Sequence, residues 1–181
     1  MECADVRELI ALAPPHPATL GIDELLLACD WGRERTGGPG GQHRNKVESA
    51  VWITHLPSGV EAQASERRSA TENKRVAVGR LRHALAVAVR CPVAIGEVRS
   101  ALWLSRCTRA GTIACNPSHD DYPHLLAEAM DVVHSANWDV KQASLRLGCS
   151  MSQLLKFIQD HTPAFLRLNE ERRARGHHAL R

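Results

Sequence analysis

The sequence predicts an α+β fold: a small mixed β-sheet packed on one long helix, followed by a helical C-terminal unit with a helix-turn-helix-like pair. Two observations carry this. Residues 50–54 and 60–64 are strand-like runs separated by Leu56-Pro57-Ser58-Gly59, whose Pro and Gly form turns, so residues 49–65 read as a hairpin. Directly after it, Ser69 and Glu72 make a capping-box pattern. Val78, Leu81, Leu85 and Ala88 then recur on one helical face, so a long helix runs to about Val89 and covers the hairpin.

The other elements follow in order. Residues 1–18 end in Pro14, Pro15 and Pro17, which resist helix and strand alike, and read as a loosely ordered lead segment. From Asp23 an acidic start precedes Leu25 to Leu27, giving a short helical turn, and residues 29–36 alternate as an exposed strand does. After Cys91-Pro92 the pattern weakens, and Gly111, Asn116-Pro117 and Asp120-Asp121 mark residues 107–123 as a connecting segment. Beyond it Leu125, Leu126, Ala129, Met130 and Val133 form one apolar face, and Asn137 is placed to cap a second helix through Leu147, stopped by Gly148. Ser150 with Gln153 caps a third helix, and a fourth starts at Pro163. The domain division is thus 1–18 lead segment, 19–106 α+β domain, 107–123 connector and 124–181 helical unit.

At 181 residues and 19.9 kDa the chain is one ordinary domain, or a small domain with a helical appendage. A multidomain synthetase, a large barrel or a long solenoid is excluded. With 44% apolar and 24% charged residues it can bury a core. Its apolar stretches around residues 25–29 and 85–89 fall far short of the ~20 residues that span a bilayer, and the acidic start lacks the basic region of a signal peptide. A cytoplasmic protein, without membrane contact and monomeric, is the expectation.

Cys3, Cys29, Cys91, Cys107, Cys115 and Cys149 include no Cys-x-x-Cys pair and read as reduced, small hydrophobes. The spacing of Cys107, Cys115, His119 and His124 matches no standard zinc finger or ribbon, so no metal is expected.

Charge is informative by position. Basic and acidic residues number 1 and 6 in residues 1–30, 11 and 5 in residues 31–90, and 11 and 9 in residues 91–181. Nineteen of the 23 basic residues are arginine, whose planar fork suits phosphate and RNA bases. Lys74, Arg75, Arg80 and Arg82 lie opposite the apolar face of the long helix, where they form either a solvated face or an RNA-facing surface.

The most unusual segment is Arg35-Thr36-Gly37-Gly38-Pro39-Gly40-Gly41-Gln42-His43-Arg44-Asn45-Lys46, with four glycines among residues 37–41. No Gly-Lys-Ser/Thr follows, so it is not a Walker loop, and no strand–helix unit with a later acidic residue makes it a dinucleotide fingerprint. It offers no nucleophile in an elbow, and Gln42 is neither acid nor base near neutral pH. Chemistry there works by placement, with no cofactor.

Gly38-Pro39-Gly40-Gly41-Gln42-His43-x-Asn45-Lys46, then Ser49-Ala50-Val51, Thr54-His55-Leu56-Pro57-Ser58-Gly59, Glu66-Arg67-x-Ser69 and Asn73-Lys74, resemble the catalytic domain of class-I peptide chain release factors over about residues 20–90. The resemblance implies hydrolysis of the ester joining the nascent peptide to the terminal adenosine of tRNA, in the peptidyl transferase centre of the ribosome. Gly40, Gly41 and Gln42 are then the catalytic residues. The glycines give a narrow tip, the Gln42 backbone N–H faces the leaving oxygen or developing oxyanion, and its side chain restricts water.

Arg35, His43, Arg44, Asn45, Lys46, Arg67, Lys74 and Arg75 are the candidate RNA contacts of this domain. Asn45 and Asn73 also suit caps or turns. The sequence departs from the family at Ala70, where a Gln is usual.

Full-length release factors carry a domain whose Pro-x-Thr or Ser-Pro-Phe tripeptide reads stop codons, and the chain is read as lacking both domain and tripeptides. The reduced architecture resembles the codon-independent rescue branch, similar to alternative ribosome-rescue factor B. In that branch a basic C-terminal tail senses the empty mRNA channel of the small subunit. Here residues 165–181 hold five arginines against two glutamates, and Arg172, Arg173 and Arg175 are the candidate contacts.

Two other classes compete: a noncatalytic ribosome- or RNA-binding protein that retains the loop, and a helix-turn-helix DNA-binding regulator. In the recognition-like helix, residues 152–159, Lys156 is the only basic residue, which disfavours the second.

Overall fold

The computed structural model describes residues 8–35 and 49–181. The elements, in order, are β1 (Ile10–Ala11), a 3-10 turn (Pro17–Thr19), α1 (Ile22–Leu27), β2 (Cys29–Glu34), β3 (Ala50–His55), β4 (Val60–Ala64), α2 (Ala70–Ala88), β5 (Val89–Arg90), α3 (Ala101–Arg106), α4 (Tyr122–Ser135), α5 (Val140–Leu147), α6 (Met151–Gln159) and α7 (Thr162–Ala174). No described helix is long and apolar enough to cross a membrane.

Strands β2, β3 and β4 form an antiparallel sheet in that order. Cys29 pairs with His55 through to Glu34 with Ala50, and Val51 with Ala64 through to His55 with Val60. The expected hairpin closes through His55, whose Nδ1 lies 2.7 Å from Ser58 Oγ. The period-2 pattern separates two faces. Val51, Ile53 and Ala64 join Ala77, Val78, Leu81 and Leu85 of α2 in the core. The opposite face presents Asp30, Glu34, Glu61 and Gln63 to solvent around a partly exposed Trp52. The Trp52 indole lies across Gly32, where a Cβ would sit 2.8 Å from the ring, so only glycine allows this approach.

Helix α2 begins as predicted, with Ser69 Oγ accepting from Glu72 N at 3.4 Å. It serves two layers, burying one side on the sheet and another against α4. Tyr122, Leu125, Leu126, Ala129, Met130 and Val133 of α4 are all fully buried and belong to the same cluster as the sheet-side residues. The segment at 107–123 thus marks a change of element type within one continuous core.

Three local expectations are corrected. The lead segment is packed over its described part: Ile10 and Ala11 pair in parallel with Val89 and Arg90, separately from the antiparallel sheet, and His16, Pro17 and Ala18 are buried. Arg82 of α2, far from a free RNA-facing charge, donates to the carbonyls of Ala18 and Leu20 at 3.0 and 3.3 Å. Helix α5 is capped by Asp139, which accepts from Lys141 N and Gln142 N, while Asn137 turns the chain at φ 52°. Gly148 ends α5 in the left-handed region at φ 65°, as expected of a C-terminal glycine.

His16 carries a pH dependence. Burial, helped by Arg90, lowers it to about 4. The native imidazole is neutral while the unfolded one takes a proton below about pH 6.5. Stability from this residue is therefore complete above about pH 6.5 and is lost as pH falls towards 4, on the order of 3 kcal/mol in all. Urea midpoints at pH 7.5 and 4.5 should differ less in His16→Gln than in wild type; equal differences would contradict the assignment.

Candidate functional site

Gly40, Gly41, Gln42, His43, Arg44, Asn45 and Lys46 lie outside the described residues. Their framework is described: β2 leads into the segment and ends at Glu34, with Arg35 exposed beyond it, and Ser49 follows the segment into β3.

The first turn of α2 meets both strands. The Asn73 side chain is fully buried. It donates through Nδ2 to the carbonyls of Ser49 and Arg67, at 2.5 and 2.9 Å, and accepts at Oδ1 from Arg67 N at 2.9 Å. Asn73 thus ties the start of β3 to the β4–α2 connection, and it acts as a clamp where the sequence suggested a cap. Its neighbour Lys74 places Nζ 3.5 Å from the centroid of Trp31 on β2, a cation–π contact with a ring still 38% exposed.

The other predicted contacts divide. Arg67 and Arg75 are exposed near this turn; Arg75 pairs with Asp120 at 3.6 Å, both side chains over 80% exposed, a pair of little energetic weight. Arg80 is anchored instead, donating to Gln63 O at 2.7 Å and to Glu66, whose carboxyl it holds below the ordinary range.

On α7, Arg172 donates to Trp138 O at 2.6 Å and His178 O at 3.1 Å. Arg175 bonds Glu171 at 2.6 Å and lies 5.5 Å from the Trp138 ring centroid. Arg173 is exposed. Two of the three tail arginines therefore bind their own unit.

One sequence reading needs correction. The chain does contain a Pro-x-Thr sequence, Pro17-Ala18-Thr19. It forms the 3-10 turn, with Pro17 and Ala18 buried and Thr19 Oγ1 donating to His16 O at 2.7 Å, so it is an internal packing element rather than a presented loop.

Among the described residues no three His, Cys, Asp or Glu side chains stand together to hold a metal. Cys107 and Cys115 have thiols raised by burial; Cys107 bridges Ile113 in an isolated antiparallel pair.

Sequence reading missed Trp31 and the carbonyl of Ser49 as parts of the site. The signal for Trp31 was an aromatic on an exposed strand next to a basic helix start; a backbone acceptor leaves no signal in sequence.

Residues 23–92 match the family model described as the RF-1 domain. The chain is 44% identical over 80 residues to the chloroplast peptide chain release factor PrfB1 of Arabidopsis thaliana, covering 44% of this chain and 17% of that protein. It is 51% identical over 51 residues to peptide chain release factor 2 of Clostridium perfringens, covering 28% and 14%. It is 40% identical over 82 residues to peptide chain release factor 1 of Xylella fastidiosa, covering 45% and 20%. The matched stretch is thus at most a fifth of each of these relatives' length. Over residues 23–92 the chain is thus similar to the RF-1 domain of class-I peptide chain release factors.

Proposed function

We propose that the chain hydrolyses the peptidyl-tRNA ester in the peptidyl transferase centre, acting in the cytoplasm on stalled ribosomes without a codon in the A site. The observation that carries this reading is the unbroken Gly40-Gly41-Gln42 inside an RF-1 domain. Gln42 would supply a backbone N–H to the departing or developing oxyanion, and a donor preorganised there contributes about 10²–10³ in rate. Positioning and charge from the surrounding RNA supply the rest, with no metal or cofactor from the protein.

Large-subunit rRNA and peptidyl-tRNA are the partners, met by Arg35, Arg44, Lys46, Arg67 and Arg75 through phosphates. Burial of the Pro17-Ala18-Thr19 turn supports codon independence, because a decoding tripeptide has to reach mRNA. Contact with the mRNA channel would fall to Arg173 and Arg181, since Arg172 and Arg175 already have internal partners.

The test is peptide release from purified ribosomes stalled on truncated mRNA, on a sense codon and on a stop codon. Wild type should release on the truncated message, and Gln42→Pro, which lacks the backbone N–H, should release at least 100-fold more slowly while still binding ribosomes. Release at the stop codon alone would overturn the rescue reading. Equal release by wild type and Gln42→Pro would overturn the catalytic one.

A further inference from the structure

We infer that the first turn of α2 is the positioning element of the hydrolytic segment, holding both of its stems through two adjacent residues, Asn73 and Lys74. The inference rests on the release reading above, and it assigns to α2 a task that charge on its surface does not describe.

The outgoing stem is held by hydrogen bonds from a buried side chain. Asn73 fills three bonds with one amide, to Ser49 O, Arg67 O and Arg67 N, and is 0% exposed. Ser49 lies 24 residues from Asn73 and is the first described residue after the 36–48 segment, so this contact is tertiary and sits at the segment's end. Backbone carbonyls buried without a partner are costly, so the position of Ser49 is set by Asn73.

The incoming stem is held by a different force. Trp31 lies four positions before Arg35, and Lys74 Nζ sits 3.5 Å from its ring centroid. A desolvated amide bond is short-ranged and directional; the cation–π contact at a partly exposed ring is softer. Lys74 is thereby positioned over protein, where the sequence reading had it over a phosphate.

Both contacts issue from a helix whose remaining length is locked into the core by Ala77, Val78, Leu81 and Leu85. Segment ends fixed to one rigid body are fixed relative to each other. A displacement of about 1 Å from the productive geometry can cost on the order of 10²-fold in rate.

The experiment uses the full chain and four variants: Asn73→Ala, Lys74→Met, Trp31→Leu and Val78→Ala. Val78→Ala loosens the same helix in the core without removing the Asn73 or Lys74 contacts, and serves as the stability reference. Single-turnover release and ribosome affinity are measured separately, together with hydrogen exchange over residues 49–55.

Asn73→Ala should lower the release rate 10- to 100-fold with ribosome affinity within about threefold of wild type. It should also speed exchange at residues 49–55 well beyond Val78→Ala, whose release rate should stay near wild type. Lys74→Met and Trp31→Leu should each slow release severalfold, and the double variant should be no slower than either. These two side chains are at the surface, so this arm holds even if Asn73→Ala fails to fold.

Equal losses in Asn73→Ala and Val78→Ala would reduce Asn73 to a stability residue and overturn the inference. So would additive losses at Lys74 and Trp31, or a loss at Lys74 confined to salt-dependent affinity. If wild type releases no peptide while exchange still separates Asn73→Ala from Val78→Ala, the release reading fails and the clamp stands.

Discussion

Replacing Asp131 by alanine should lower the unfolding free energy by about 3 to 5 kcal/mol, a large share of the ~5–15 kcal/mol typical of a whole domain. The reason is its partner. Arg90 is 2% exposed and Asp131 6%; Arg90 donates to Asp131 Oδ1 at 3.1 Å and to the carbonyls of Ala86 and Val87 at 2.8 and 2.7 Å. Asp131 Oδ1 also accepts from Cys91 N at 3.2 Å.

Burial pushes the Asp131 carboxyl up to about 6 against the pull of Arg90, which shows how strongly this site resists charge. Removing the carboxylate leaves a guanidinium that cannot reach water. The double variant Arg90→Met, Asp131→Leu should regain part of the loss, because it leaves no buried charge, while Cys91 N still loses its acceptor. Urea unfolding at pH 7.5 measures both, and an Asp131→Ala loss below about 1 kcal/mol would contradict the account.

The second large effect concerns the helical unit. A chain ending at Arg106 should fail to fold into a cooperative, soluble domain. It loses the α4 face that buries Tyr122, Leu125, Leu126, Ala129, Met130 and Val133 against the rest of the core, and it strands Arg90 without Asp131. It also loses the bond from Trp103 Nε1 to Leu147 O at 2.8 Å, which fastens α3 to the end of α5.

Each fully buried aliphatic side chain is worth about 1.5–3 kcal/mol, so several lost together exceed any marginal stability. The readout is soluble yield and a thermal transition. A soluble fragment with a sharp transition and unchanged release would make residues 107–181 an appendage.

The elements legible in sequence are those whose signal is local. The hairpin of β3 and β4, the Ser69-capped α2, and α6 with its Ser150 cap each combine periodicity with a punctuating residue, and each stands where expected. Strand β1 was not legible, because its two residues gain their identity from Val89 and Arg90, seventy-nine positions away. Helix α3 is only six residues and keeps one buried side chain, Trp103, too few for a period to show.

The site divides in the same way. The loop motif is a feature of composition and order, so residues 35–46 and their family resemblance could be read directly. The clamp could not, since a buried amide meeting a remote carbonyl has no sequence pattern. The tail arginines illustrate both cases: Arg172 looked like free charge because its acceptor, the Trp138 carbonyl, is 34 positions away, whereas the Arg175–Glu171 pair has an i, i+4 spacing that was open to sequence reading.

The uncovered face of the sheet bears on how this domain approaches a polyanion. Asp30, Glu34 and Glu61 stand on that face, whereas Arg33 pairs with Val51 on the opposite one, the side that packs on α2, and Arg67 and Arg75 flank the helix start. The domain therefore has an electric dipole across its thickness, and near RNA it feels a torque as well as an attraction. On the proposed function, diffusional encounters with RNA would therefore be sorted before contact, with the carboxylate face turned outward.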